Sequence, residues 1–278
     1  MKNLKIFILI LFLSATHRLP AFAAVTADDF FNSLDQNDIA AVRQAVSGGF
    51  EINKVYGGPG DEKIPLIEAI KLSRFDMAKA LLNDGADVNV RTPDDMPPLF
   101  VAITWAAMPD SDKYTPARRA DALRIFELLL ERGADVNYQN MFGAAPLGLA
   151  ALGVHYGPSL YMAKKLLGAG AEINPAQDNG RGMPPIFWAL AAITADQGKG
   201  KENRIEILKL FLDSGAEVNA RLQDGTSPLH LAAIDYDITK LFLDSGADKH
   251  AKDDAGKTPF DAALTNKKFK TALLLMTY

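Results

Sequence analysis

Cysteine is absent from all 278 residues. That excludes disulfides, thiol catalysis, cysteine-ligated zinc, iron–sulfur clusters and a lipidated N-terminal cysteine. A surplus of positive charge is absent as well: 30 Lys+Arg stand against 34 Asp+Glu, a formal charge of −4. Without a basic footprint, a nucleic-acid partner or an anionic membrane surface is disfavoured. Histidine is scarce, with four in the chain. Apolar runs of helix length occur only at the N-terminus, so nothing later resembles a membrane span. What remains is ordinary globular composition, 48% hydrophobic and 23% charged, and not that of a disordered chain. The length suits one large domain, two ordinary ones or one repeat array.

The first residues read as an address. Lys2 and Lys5 give a positive start, Ile6 to Leu13 is an unbroken apolar run, and Ala21 and Ala23 flank Phe22 in a small-residue cleavage site. This is the layout of a secretory signal peptide over residues 1–23, cut after Ala23. As a helix the run would span about 12 Å, whereas a bilayer core needs about 30 Å, so it does not read as an anchor. The pattern has a bacterial look, which places the expected mature chain in the periplasm or outside the cell. Removal of residues 1–23 deletes Lys2, Lys5 and Arg18 and no acid, leaving a formal charge of −7. An acidic exported chain favours solubility and, weakly, a basic partner.

The remainder is periodic. Gly85-Ala86-Asp87-Val88-Asn89 recurs at Gly133–Asn137, Gly170–Asn174 and Gly215–Asn219, with degenerate copies at Gly49–Asn53 and Gly246–His250. A second phrase follows each copy: Ile64-Pro65-Leu66, Pro97-Pro98-Leu99, Ala145-Pro146-Leu147, Pro184-Pro185-Ile186, Ser227-Pro228-Leu229-His230 and Thr258-Pro259-Phe260. These phrases resemble the ankyrin repeat, in which T-P-L-H-x-A opens a helix pair and G-A-D-V-N follows it. The resemblance spans about Ala27 to Tyr278, with Ser227–Ala233 the nearest match. His230 is the sole histidine in its slot; Ile67, Phe100, Gly148, Phe187 and Asp261 stand elsewhere.

The residue chemistry agrees. Proline in a first helical turn loses no hydrogen bond. Glycine just past a helix takes the left-handed C′ conformation. Apolar stripes such as Ile125, Phe126, Leu129 and Ile207, Leu208, Phe211 suit one buried helix face. The expected fold is an all-α ankyrin-repeat solenoid of about seven helix pairs with short β-hairpin-like fingers. Residues 24–278 form a single array, with pairs near 28–47, 65–84, 98–132, 146–169, 185–214, 228–245 and 259–278. The first and last pairs are the expected caps, whose outer faces must tolerate water. Lys267, Lys268 and Lys270 suit that role, and Trp188 is expected in the core.

The spacing is irregular in the middle. From key proline to following glycine the step is 20, 35, 24, 30 and 18 residues in successive pairs from Pro65 onward. The excess falls between first and second helix in three consecutive repeats, so residues 108–118, 153–159 and 195–203 are expected to form one rim. It contains Trp105, Met108, Tyr114, His155, Tyr156, Lys199, Lys201 and Arg204. Large rings beside charges suit an interface, and packing of longer helices explains them equally well. The concave face of fingertips and first helices is the second candidate. Met96, Met141, Phe142 and Met183 are apolar where fingertips are ordinarily polar, which suits either a contact surface or finger-to-finger packing. The expected partner-binding residues, drawn from both surfaces, are Arg91, Asp94, Met96, Trp105, Met108, Tyr114, Met141, Phe142, Tyr156, Arg181 and Met183.

Catalytic patterns are missing: no H-E-x-x-H, G-x-S-x-G, Walker A or calcium-loop motif occurs. Gly57-Gly58-Pro59-Gly60 lies in a lengthened finger, without the Lys-Ser/Thr of a phosphate loop. No catalytic residue, cofactor or metal is expected. The reading is a non-catalytic protein-binding protein of the bacterial periplasm, monomeric when free. Its expected role is to bind and inhibit an exported enzyme such as a cell-wall hydrolase, as a self-protection protein. Alternatives are an envelope scaffold or oxidative-stress accessory protein, a secreted effector, and a small-ligand binder or enzyme built around His155 and Tyr156.

Overall fold

Proline opens the first helix of six of the seven pairs, at Pro65, Pro98, Pro146, Pro185, Pro228 and Pro259. There its missing N–H and preset φ incur no penalty. The computed structural model describes residues 25–108, 111, 115–153, 158–176, 182–191 and 200–278. The expected signal peptide, Tyr114, His155, Tyr156, Arg181, Lys199 and much of the expected rim lie outside the described residues. Among the described residues, fourteen helices form the pairs α1 (Ala27–Asp35) with α2 (Ile39–Ser47), α3 (Pro65–Lys71) with α4 (Phe75–Asn83), and α5 (Pro98–Ala106) with α6 (Pro116–Glu131). They continue with α7 (Pro146–Leu152) and α8 (Ser159–Gly168), then α9 (Pro185–Ala191) and α10 (Lys201–Asp213). The last pairs are α11 (Pro228–Ala232) with α12 (Tyr236–Asp244), and α13 (Pro259–Thr265) with α14 (Phe269–Thr277). The all-α reading with about seven helix pairs stands.

First helices touch one another in unbroken series from α1 to α13. A helix sandwiched in this way must be apolar nearly all round. In α5, Pro98 to Ile103 and Ala106 are all buried. One contiguous hydrophobic cluster runs from Phe30 to Leu275. The fingers between pairs are tight turns: the described residues contain a single isolated bridge, Tyr56 with Lys63, in the lengthened first finger.

Consecutive pairs are joined by asparagine. Asn53, Asn89, Asn137, Asn174 and Asn219 each accept through Oδ1 the backbone N–H of the residue following the next Gly-Ala: Asp87, Asp135, Glu172, Glu217 and Asp248, at 2.7–3.0 Å. Four of them also donate through Nδ2 to the next helix-terminating glycine carbonyl, at Gly85, Gly170, Gly215 and Gly246. Each such bond contributes about 0.5–1.5 kcal/mol net, and the Oδ1 bond repeats at five of the six joints, with His250 in the asparagine position at the last.

The histidine slot is filled in different ways. In His230, Nε2 lies 3.0 Å from the Lys257 carbonyl, which can only accept, so Nε2 carries the proton. Nδ1 then accepts from Ser227, whose Oγ is 2.7 Å away. Asp261 closes the equivalent cap of α13 with its carboxylate, taking the Thr258 N–H at 2.8 Å and the hydroxyl at 2.7 Å. The Thr258 backbone and hydroxyl bonds hold its pKa below the ordinary carboxylate value. Gly148 serves another purpose: a Cβ there would sit 2.6 Å from Cδ1 of Trp188, in the next first helix. Trp188 is half-buried, packs on the core and donates from Nε1 to the Met183 carbonyl at 3.0 Å.

Three expectations need correction. Pro116, Ala117 and Arg118, expected in the rim, are the first turn of α6, whose sixteen residues compare with nine in α4. Arg204, expected as an exposed rim charge, is 2% exposed, because α10 begins at Lys201 and turns that position inward. The outer face of the final pair is not the polar cap expected there: Phe269, Leu273 and Met276 are 69%, 60% and 66% exposed.

Two substitutions test these assignments. Gly133 has φ +82° and nothing within 4 Å of an added Cβ, so any effect of replacing it is conformational. Gly133→Ala is expected to lower stability by about 1–2 kcal/mol, and Gly133→Val by more because of β-branching, read from urea unfolding. Gly148→Ala is expected to be destabilising by about 1–3 kcal/mol through overpacking against Trp188, with a change in tryptophan fluorescence.

Candidate protein-binding surface

Four fingers are built on one plan. Backbone bonds close each turn, from Thr92 to Met96, Asn140 to Ala144, Leu222 to Thr226 and Asp253 to Lys257, at 2.9–3.3 Å. Each turn needs one left-handed residue. Three fingers use glycine (Gly143, Gly225, Gly256), and the remaining one uses Asp95, at φ 60°. A side chain is tolerated at Asp95 because it does something a glycine would not. Its Oδ2 accepts the Met141 backbone N–H at 2.8 Å, and its Oδ1 accepts the Tyr138 hydroxyl. The carboxylate thereby ties its own finger to the next.

Arg91 joins this tie. It donates to the Tyr138 hydroxyl at 3.1 Å, lies 5.6 Å from the Tyr138 ring centroid and sits 3.6 Å from Asp95 Oδ1. In the following finger, Oδ1 of the buried Asn140 accepts the N–H groups of Phe142 and Ala144, both at 3.0 Å. The fingertip backbone is therefore held on both sides, while its side chains project: Met141 is 50% and Phe142 75% exposed.

Beside this fingertip, a groove of about 350 Å³ opens between the lengthened first finger and the next one. It brings together Asp94, Met96 and Trp105 with Asp61, Glu62 and Lys63. Trp105 forms a half-buried wall, anchored by its Nε1 bond of 2.8 Å to the Lys71 carbonyl. Arg118 donates to the same carbonyl at 3.0 Å, so the C-terminal end of α3 receives two donors, as helix ends require. Met96 is half-buried against the core.

Met108 and Met183, also expected at the site, do not line the groove. Met108 follows α5, 37% exposed, with its carbonyl taken by Arg119. Met183 is half-buried and its carbonyl serves Trp188. On the rim, Lys201 bridges forward to Asp235 at 2.9 Å and Asp237 at 2.6 Å. Burial opposes its charge, but bonds to Asp237 and Asp235 outweigh that and raise its pKa. Among the described residues, no cluster of three or more acidic or histidine side chains is arranged to hold a metal. No helix among them is long and apolar enough to cross a membrane. Asp95, Tyr138 and Asn140 escaped sequence reasoning. The available signal was an aspartate at the turn position where the sister fingers have glycine.

A family model for three consecutive ankyrin repeats matches residues 190–278, and a single-repeat model matches residues 61–93. The chain carries ankyrin repeats. Neurogenic locus notch homolog protein 1 of Xenopus tropicalis is 27% identical over 206 residues, 72% of this chain and 7% of that protein. Neurogenic locus notch homolog protein 2 of Homo sapiens is 38% identical over 152 residues, 54% of this chain and 6% of that protein. The ankyrin array thus spans less than a tenth of either relative. Among solved structures, the ankyrin repeat domain of Bcl-3 has a TM-score of 0.66 at 20% identity, covering 90% of this chain and 97% of that one. That of human ASB11 has a TM-score of 0.62 at 22% identity, covering 88% and 96%. These likenesses establish the ankyrin fold, a protein-interaction scaffold that is generally non-catalytic.

The role of Asp95 is testable. Asp95→Ala is expected to lower stability by about 2 kcal/mol through lost charge-assisted bonds and left-handed strain, and Asp95→Gly by about 1 kcal/mol less. Hydrogen exchange at the Met141 amide is expected to accelerate in both.

Proposed function

We propose that this ankyrin array is an exported bacterial protein that binds and inhibits another exported enzyme, such as a cell-wall hydrolase, as a self-protection protein. The observation that carries the binding surface is Phe142, 75% exposed beside Met141 on a fingertip held by Asp95 and Asn140. A large ring on a preorganised loop suits a hot spot, because little ordering entropy opposes docking. The neighbouring groove supplies Trp105 and Met96 with carboxylates from Asp61, Glu62 and Asp94, a lining suited to an apolar partner surface flanked by cations. The signal-peptide pattern of residues 1–23 and the acidic balance of the remaining chain support export and solubility.

Pull-down with residues 24–278 from a periplasmic extract is expected to recover a hydrolase, whose activity falls when the array is added in stoichiometric amounts. The double variant Met141→Asp, Phe142→Asp is expected to weaken capture at least tenfold with an unchanged melting temperature. Recovery of several non-enzymatic partners without inhibition would favour the envelope-scaffold reading instead.

A further inference from the structure

The final helix carries an apolar stripe on the wrong side. Phe269, Leu273 and Met276 stand at i, i+4 and i+7, one face of a helix, and are 60–69% exposed. Leu264 on α13 is 41% exposed as well. The opposite face of α14 is packed inward through Thr271, Ala272 and Leu275. The other end of the array differs: Asp28, Asp29, Asn32 and Asp35 on α1, and Gln44 on α2, are exposed there.

Charge placement points to what covers the stripe. Lys267 and Lys268 stand at the N-terminal end of α14, and its first turn has no acid. Cations there oppose the helix's own dipole and would be stabilised beside the carbonyl end of another helix. Lys270 is turned away, with Nζ 4.1 Å from the Tyr236 ring centroid. We infer that α14 is the contact face for a second copy of this chain, packed antiparallel on its own α14 about a two-fold axis at Leu273. In that arrangement Phe269 of each copy meets the Leu273–Met276 part of the other, and Lys267 and Lys268 meet the other helix's C-terminal end. Such an isologous contact closes on itself and leaves Met141 and Phe142 open. A head-to-tail contact would set the apolar stripe against the polar α1–α2 face. Two outward lysines are few for a membrane surface, where each contributes only weakly, on a chain of net acidic charge.

Two short helices present a face of only about 13 by 20 Å, small beside the roughly 800 Å² per partner of a stable complex. The dimer is therefore weak, half-formed at about 10–100 µM. Sedimentation of the purified protein from 5 to 300 µM is expected to show a monomer–dimer equilibrium. Leu273→Glu and Phe269→Lys should each abolish it with unchanged melting, since both side chains are mostly exposed. The natural absence of cysteine allows a direct test of the axis. Leu273→Cys, oxidised with copper–phenanthroline, should crosslink to a covalent dimer at least tenfold faster than Val55→Cys, an exposed control on the first finger. The inference is overturned by a monomer throughout, by growth beyond the dimer, by a dimer insensitive to Leu273→Glu, by equal crosslinking of the two thiols, or by binding to anionic vesicles without dimerisation.

Discussion

An asparagine amide spanning the joint between neighbouring helix pairs is the contact on which the array's regularity depends. Helix pairs bury apolar faces against one another, but apolar contact alone has little directional preference. The Asn137 side chain fixes the joint: it takes the Glu172 N–H at 2.8 Å and gives to the Gly170 carbonyl at 3.1 Å. One amide thus satisfies a donor and an acceptor that the turn leaves without helical partners. The glycine that ends each second helix at positive φ makes this possible, because its left-handed turn presents that carbonyl and the following N–H groups to the neighbour.

With the joints set, individual repeats tolerate large departures. The slot that His230 fills with a hydrogen-bonded ring is filled by a carboxylate at Asp261 and by apolar side chains at Ile67, Phe100 and Phe187. At Gly148 it is vacated for an indole from the next repeat. In the internal repeats each solution works because a first helix is covered by its neighbours on both sides, so volume and hydrogen bonding are balanced across the joint rather than within one repeat. The same sharing gives the fingers their rigidity. Asp95 occupies a strained conformation and is retained there by bonds to the following finger. Strain in one turn thereby organises the display of Met141 and Phe142 in the next.

The two exposed apolar regions have different settings. Phe142 projects from a tip whose backbone is bonded on either side, by Asp95 at Met141 and by Asn140 at Phe142. The stripe on α14 is an exposed apolar face of a regular helix. The first is suited to a partner of different shape and the second to a copy of the same surface. They lie at separate places along the array, so occupancy of one does not block the other.

The sequence by itself determined the helix pairs, the turn glycines and the order of stacking, because Pro at N1, Gly at C′ and 3.6-residue periodicity are local requirements that each repeat states for itself. It also identified Met96, Met141, Phe142 and Met183 as apolar where fingertips are ordinarily polar. Only the tertiary structure decided which residues act across a joint. Arg204 read as a rim charge and is buried; Gly148 read as a lost histidine and is the space for Trp188; Lys267 and Lys268 read as a polar cap and flank an exposed apolar stripe. Asp95, Tyr138 and Arg91 form one network from positions up to 47 residues apart. Spacing within a repeat follows from chain geometry, whereas contacts between repeats depend on stacking angle and side-chain volume on both sides, which no single repeat encodes.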